Sequence, residues 1–295
     1  MNRKSKLAVL GGDMRQCLLA GRLAERYETA VWGVPSSAEI GDAVRCPDWR
    51  DAVKGSGAVI LPLPCSRDGV TVSCPLLPEK ALRLSELADF LPAGSLLLAG
   101  KAEEGFLARL LERGIAAFDY FACEELQIKN ALPTAEGALE ILLREMPVTV
   151  AGARFALFGF GRVGQAVARV LVPLGGRVTV CARSRRDLAA AEVCGCSPLS
   201  LTDGDFLSRF AALAPDAVVN TVPSPILGQP LLSLFGEDTV LLDLASGEGG
   251  VDPTAAAQTR VRVIRALSLP GKTAPKTAAA ILCDCILGRL REEEQ

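Results

Sequence analysis

Apolar runs of four to six residues, many of them β-branched, recur along the chain and alternate with stretches of helical spacing. In the first half the strand candidates are KLAVLG from Lys6, TAVWG from Thr29, GAVILPLP from Gly57, SLLLAG from Ser95 and IAAFDY from Ile115. In the second they are RFALFG from Arg154, RVTVCA from Arg177, DAVVNT from Asp216, TVLLDLA from Thr239 and VRVIRA from Val261, with a weaker one at GCSPLS from Gly195. Strands separated in this way by helix or turn chemistry predict parallel sheets wrapped by helices. The fold class expected is therefore α/β, with two doubly wound parallel-sheet domains.

The pattern also predicts the boundaries. A flavodoxin-like N-terminal domain spans 1–131, and a linker helix over 132–148 opens at Pro133, carries an apolar stripe of Leu139, Leu142 and Leu143, and stops at Met146 and Pro147. A Rossmann-type domain follows over 149–273. The last helix, about 274–291, opens at Pro275 and is long enough to pack back onto the first domain. In such an arrangement the active site is expected between the domains, facing the carboxyl ends of both sheets.

Composition narrows the chemistry. A chain of 295 residues suits two domains. No run approaches the roughly 20 uninterrupted apolar residues of a membrane span, and the opening MNRKSKLAVLGGD lacks a signal-peptide pattern, so a cytoplasmic protein is expected. A net charge of -2 argues against nucleic acid or acidic lipid as partners, and leaves any anionic substrate to a local site. The ten cysteines are scattered through apolar segments without zinc-site spacing, so buried free thiols and no metal are expected. Histidine is absent, which excludes Ser-His-Asp and Cys-His catalysis and any His-ligated metal.

One segment carries a specific motif. In FALFGFGRVGQAVARV a strand runs into Gly159, Gly161 and Gly164 and a helix follows, the context that a dinucleotide-binding turn requires. Gly159 would make the turn, Gly161 admit the pyrophosphate, and Gly164 allow helix and strand to pack closely; Arg162 and Val163 lie in the same loop. A glycine-rich turn without a ligand is the alternative. The next strand ends at Cys181 and Ala182, where an acid normally holds the ribose, and continues as Arg183, Ser184 and Arg185. Charged donors there favour NADP over NAD, against the alternative of arginines merely solvated on a turn, which applies most to Arg186. Asn220, Thr221 and Val222, and beyond a later strand Ala245 and Ser246, stand where a Rossmann sheet meets the nicotinamide half of its cofactor; Asn220 capping a loop is the competing reading.

The segments VLGGDMRQ at 9–16, NALPTAEGA at 130–138, LFGFGRVGQ at 157–165 and LPGKTAPKTAA at 269–279 together resemble the dipicolinate synthase A subunits, over nearly the whole chain. The resemblance implies oxidation of a dihydrodipicolinate-type cyclic intermediate to pyridine-2,6-dicarboxylate with a nicotinamide cofactor. It also implies, as partner, a flavoprotein-like B subunit, and a location in the mother cell of a sporulating bacterium; a homo-oligomer is expected besides. A ring with two carboxylates needs donors at both ends, for which Arg15 and Lys272 are the candidates, with Asp13, Gln16, Asn130, Thr134 and Thr273 lining the substrate. Arg15 as a surface cation, and Asn130, Thr134 and Glu136 as capping or packing residues, remain open. Glu136 and Lys272 are the catalytic candidates, with Asp13, Glu125, Lys101 or water as other proton acceptors. The rival functions are a shikimate- or hydroxyacid-type NADP-dependent dehydrogenase and a non-catalytic NADP-binding scaffold.

Overall fold

The structure, a computed structural model, describes residues 6–35, 37–259 and 261–293. Two compact units divide the chain: one runs to Asn130 and resumes at Ala274, and the other is Ala131–Thr273. Each is built on a single six-stranded, all-parallel sheet flanked by helices, so the chain is a doubly wound α/β protein.

The first sheet contains β1 (Lys6–Leu10), β2 (Glu28–Trp32), β3 (Val44–Arg45), β4 (Ala58–Ile60), β5 (Leu96–Ala99) and β6 (Ala116–Asp119), in the order β3-β2-β1-β4-β5-β6. The five strands expected from sequence run β2-β1-β4-β5-β6. β3 has no counterpart among the apolar runs, because it is two exposed residues long at the sheet edge. The second sheet contains β7 (Arg154–Phe158), β8 (Arg177–Ala182), β9 (Ser197–Ser200), β10 (Ala217–Asn220), β11 (Val240–Asp243) and β12 (Arg262–Arg265), in the order β12-β11-β10-β7-β8-β9. Strand order reverses beside a central strand in each sheet, between β1 and β4 and between β7 and β10, and ligands of open α/β sheets bind in the crevice outside such points.

The apolar runs are explained by burial on both faces. In β1, Leu7 and Val9 enter one hydrophobic cluster while Ala8 and Leu10 enter the cluster on the opposite face; Phe155 and Leu157 against Ala156 and Phe158 divide β7 in the same way. With neither face wet, polar alternation disappears and a continuous hydrophobic stretch remains.

The helix expected over 132–148 is the second part of a longer one, Glu124–Glu145, with Pro133 inside it. Pro133 removes only the N–H that would reach the carbonyl of Lys129, and the helix-forming residues on either side carry the element through. The buried stripe is Ala131, Ala135, Ala138 and Leu142, at three- and four-residue spacing; Leu143, expected in it, is 61% exposed. The last helix, Pro275–Glu293, buries Leu282, Cys283, Ile286, Leu287 and Leu290 in the same cluster as Leu7, Leu19 and Leu23 of the first unit. Among the described residues no helix is long and apolar enough to cross a membrane.

Candidate functional site

The second sheet builds a dinucleotide-type turn from its register. Phe158 pairs with Cys181 on one side and Asn220 on the other, so the chain leaving β7 emerges between the ends of β8 and β10. Gly159 follows at φ +85, a conformation L side chains rarely adopt, and donates its N–H to the Cys181 carbonyl at 3.0 Å. A Cβ there would lie 2.7 Å from Thr221 Oγ1 and 2.8 Å from Val222 Cγ2. A Cβ at Gly164 would lie 2.4 Å from the carbonyl oxygen of Gly159, whereas one at Gly161 would meet nothing within 4 Å. Two of the glycines therefore close the turn upon itself, and the third leaves its outer side open. Gly161 is also the N-cap of the helix Arg162–Leu171 and has no side chain to offer the first-turn amides, which leaves the positive end of the helix available to an anion. Arg162 is exposed, while Val163 packs against the core. These features fit a dinucleotide pyrophosphate.

Beyond β8 no carboxylate is present at 182–185. Ser184 caps the helix Arg185–Val193, its Oγ accepting from Asp187 N at 3.3 Å, which leaves its hydroxyl hydrogen free to donate. Arg183, Arg185 and Arg186 are exposed, and their side chains make no hydrogen bond or ion pair with the described residues. Cations without a partner beyond β8 leave donors there for an anionic group. NADP is accordingly expected to bind at least about tenfold more tightly than NAD, a difference of about 1.4 kcal/mol. Arg183→Ala should weaken NADP and leave NAD unchanged; fluorescence titration of both nucleotides checks this, and equal affinities for the wild type would refute it.

Asn220 does not reach outward as a cofactor ligand. It is fully buried, its Nδ2 donates to Asp243 Oδ1 at 2.8 Å and to the Val222 carbonyl at 3.1 Å, and its Oδ1 accepts from Val222 N at 3.1 Å. Asp243, 2% exposed, also accepts from Ala245 N and Gly250 N, both at 3.1 Å. Together the two side chains hold the loops after β10 and β11. Thr221 and Val222 are thereby seated over Gly159, and Ala245 is buried with exposed Ser246 beside it.

In the first unit the turn after β1 is folded around an ion pair. Arg15 is 5% exposed; its Nε and Nη2 donate to the Asp13 carboxylate at 2.9 and 2.7 Å, and Nη2 also donates to the Leu63 carbonyl at 2.6 Å. Arg15 is thus neither an open carboxylate donor nor a surface cation. Its charge ties β1's turn to the segment after β4. Tyr120 lies in the same neighbourhood, fully buried and donating to the Leu61 carbonyl at 2.8 Å, and burial pushes its hydroxyl well above the ordinary tyrosine range. Gln16 is 1% exposed and its Nε2 has no hydrogen-bond partner.

The remaining sequence candidates fall on helices. Glu136 is exposed in Glu124–Glu145, where Asn130 and Thr134 are half-buried. A Cβ on its neighbour Gly137 would come within 2.6 Å of Thr273 Oγ1 and 3.0 Å of Leu269 Cβ, so the short helix Leu269–Thr273 packs directly at that point. Glu136 and Lys272 flank this contact, both exposed to solvent. Thr273 Oγ1 donates back to the Leu269 carbonyl at 2.6 Å. Glu125 is paired with Lys129 at 2.5 Å, and Lys101 holds φ +54 with its N–H on Asp119.

The cysteines are all free thiols. Burial pushes the Cys17, Cys65, Cys74, Cys196 and Cys283 thiols up to about 11, so they are protonated at neutral pH and supply no nucleophile. Among the described residues no group of three or more Cys, Asp or Glu side chains is placed to hold a metal ion.

Comparison with known proteins adds to this geometry. Residues 6–121 match the family model of the N-terminal domain of the dipicolinate synthase A subunit. The chain is 30% identical to the dipicolinate synthase A subunit of Bacillus subtilis over 98% of its length and 97% of that protein's. The crystal structure of the same subunit from Bacillus halodurans superposes with a TM-score of 0.84 at 25% identity, covering 97% of both chains. A transhydrogenase from Sinorhizobium meliloti shares the fold, with a TM-score of 0.70 at 12% identity over 98% of this chain and 94% of its own.

Proposed function

Because this chain belongs to the family of dipicolinate synthase A subunits, we propose that it is an NADP-dependent oxidoreductase that converts a dihydrodipicolinate-type ring to pyridine-2,6-dicarboxylate. The observation that carries the reading is the turn after β7. Its outer side is open at Gly161, its helix is uncapped by any side chain, and unpaired Arg183 and Arg185 stand where an acid would select NAD. Gly159, Gly161, Arg162, Val163 and Gly164 would hold the pyrophosphate, Arg183, Ser184 and Arg185 the 2'-phosphate, and Thr221, Val222, Ala245 and Ser246 the nicotinamide half, with Asn220 and Asp243 positioning those loops.

Aromatising a dihydropyridine ring removes one hydride and one proton, and a bound nicotinamide supplies the hydride acceptor. The chain's own task is orientation, charge matching and an outlet for the proton. Glu136 is the carboxylate best placed to take that proton, since it is solvent-connected and unpaired while Asp13 and Glu125 are engaged with Arg15 and Lys129. Lys272, exposed on the short helix that packs at Gly137, would offer a cation to a substrate carboxylate. The family also supports, as partner, a flavoprotein-like B subunit, and a setting in the mother cell of a sporulating bacterium.

The test is NADP reduction in the presence of a dihydrodipicolinate source, with the chain alone, with its partner, and with each omitted. Formation of NADPH and the aromatic product in equal amounts is expected when this chain is present. Product formation with no nicotinamide reduction, or reduction dependent on the partner alone, would leave this chain as a nucleotide-binding scaffold.

A further inference from the structure

The segment between β4 and the helix Leu84–Phe90 has no periodicity in sequence, yet it is tightly built. Gly12 N donates to the Ser73 carbonyl at 2.7 Å, Ser73 N to the Cys65 carbonyl at 2.8 Å, and Val72 N to the Leu82 carbonyl at 2.8 Å. Short antiparallel bridges join Ser66 to Val72 and Thr71 to Arg83. A Cβ on Gly11 would come within 2.8 Å of both Cys74 Sγ and the Ser73 carbonyl, so Val72–Cys74 lies flat on the turn after β1. The segment therefore stands at the β1/β4 reversal point of the first unit, where an open α/β sheet takes its ligand.

Within it is a cavity of about 230 Å³, lined among others by Arg67, Thr71, Ser73, Pro75, Pro78 and Lys80. Its volume is below the range of drug-sized pockets and suits a single small molecule. Asp68 also lines it, but its carboxylate is turned to its own loop, accepting from Ser66 Oγ, Val70 N, Thr71 N and Thr71 Oγ1 at 2.7–2.9 Å, and these bonds hold its carboxyl well below the usual range. The side chains of Arg67 and Lys80 make no ion pair or hydrogen bond with the described residues. The cavity is thus lined by two cations whose side chains have no partner, by Ser73 and by one carboxylate, that of Asp68, which is held by its own loop; Arg15, the cation expected to serve a dicarboxylate, is consumed by Asp13 and Leu63.

We infer that this cavity is a dianion site in which Arg67 and Lys80 hold the carboxylates of the substrate, with Ser73 as a neutral donor. The identity of the ligand as a pyridine dicarboxylate rests on the proposed function; the existence of an anion site does not. Arg67 offers a planar fork to one carboxylate, and Lys80 a point charge to the other. Because the whole protein is slightly acidic, these short-range donors supply the recognition that long-range steering cannot.

Calorimetric titration of the full chain with pyridine-2,6-dicarboxylate, and separately with inorganic phosphate, tests this in the wild type, Arg67→Gln, Lys80→Gln and the double variant. NADP affinity and the circular dichroism spectrum serve as checks on folding. Each single substitution is expected to weaken pyridine-2,6-dicarboxylate at least about tenfold, and the double further, with NADP binding unchanged. Wild-type binding that survives both substitutions would overturn the site while leaving the proposed function standing. Phosphate binding that depends on Arg67 and Lys80, with no pyridine dicarboxylate binding, would support an anion site and overturn the proposed substrate. Absence of binding by either probe would overturn the inference altogether.

Discussion

Arg15→Ala is expected to lower the unfolding free energy by about 3 kcal/mol, the low end of the cost of removing one partner of a buried ion pair. Two groups lose a partner at once. The Asp13 carboxylate loses its bidentate guanidinium and keeps, of its hydrogen bonds, the one from the residue 15 amide at 3.0 Å. The Leu63 carbonyl loses the Nη2 donor at 2.6 Å, and an unmet buried carbonyl alone costs about 1–3 kcal/mol. Water can reach Asp13, whose side chain is 23% exposed against 7% for Arg15, and this keeps the loss from being larger. Arg15→Lys should recover less than half of it, since an ammonium cannot reproduce the fork that meets Asp13 and Leu63 together. Urea unfolding of the three proteins gives the comparison. If Arg15→Ala unfolds at the wild-type midpoint and loses only turnover, the guanidinium is free to serve a ligand and the pair with Asp13 does not hold the turn.

The contrast between Arg15 and the glycine turn shows what a sequence discloses and what it conceals. The inner strands, covered on both faces, are apolar at nearly every position and stand out as hydrophobic runs; of the edge strands, β6 and β12 are legible although mostly exposed, β9 is weak and β3 leaves no trace. The turn after β7 is legible because backbone geometry dictates its residues: φ +85 at position 159 and a carbonyl 2.4 Å from any Cβ at position 164 both demand glycine locally. Polar side chains at strand ends carry no such local signature. Arg15 is satisfied by Asp13 two residues away together with a carbonyl 48 residues away, and Asn220 by a carboxylate 23 residues away; the distant partners leave no mark in the sequence. Arg67 and Lys80 escape a sequence reading for the complementary reason, since a loop pinned by its own hydrogen bonds has no period from which a cavity can be inferred. The linker helix begins earlier than its sequence predicts because Pro133 marks a helix start by preference only, and the chain ahead of it is helical already from Glu124.

Gly164→Val and Gly161→Ser are expected to separate the structural role of the turn from its role in binding. At position 164 any Cβ meets the Gly159 carbonyl oxygen at 2.4 Å, and since that atom is backbone in a tight turn, the helix Arg162–Leu171 must move off the end of β7. A forced shift of this kind costs about 3 kcal/mol, at the upper end of typical overpacking penalties, and nucleotide binding should be lost with it. Position 161 is different in every respect: its φ of -74 is open to any residue, no atom lies within 4 Å of where a Cβ would stand, and serine is a preferred N-cap. Gly161→Ser should therefore fold with a stability within about 0.5 kcal/mol of the wild type, as for surface changes away from special features. Its new side chain would nonetheless stand where the pyrophosphate approaches and compete for the first-turn amides. NADP affinity should fall at least about thirtyfold, or about 2 kcal/mol. Fluorescence titration with NADP, run beside urea unfolding of each variant, distinguishes the two effects. A Gly161→Ser protein that binds NADP as the wild type does would show that the open side of this turn is not where the dinucleotide lies.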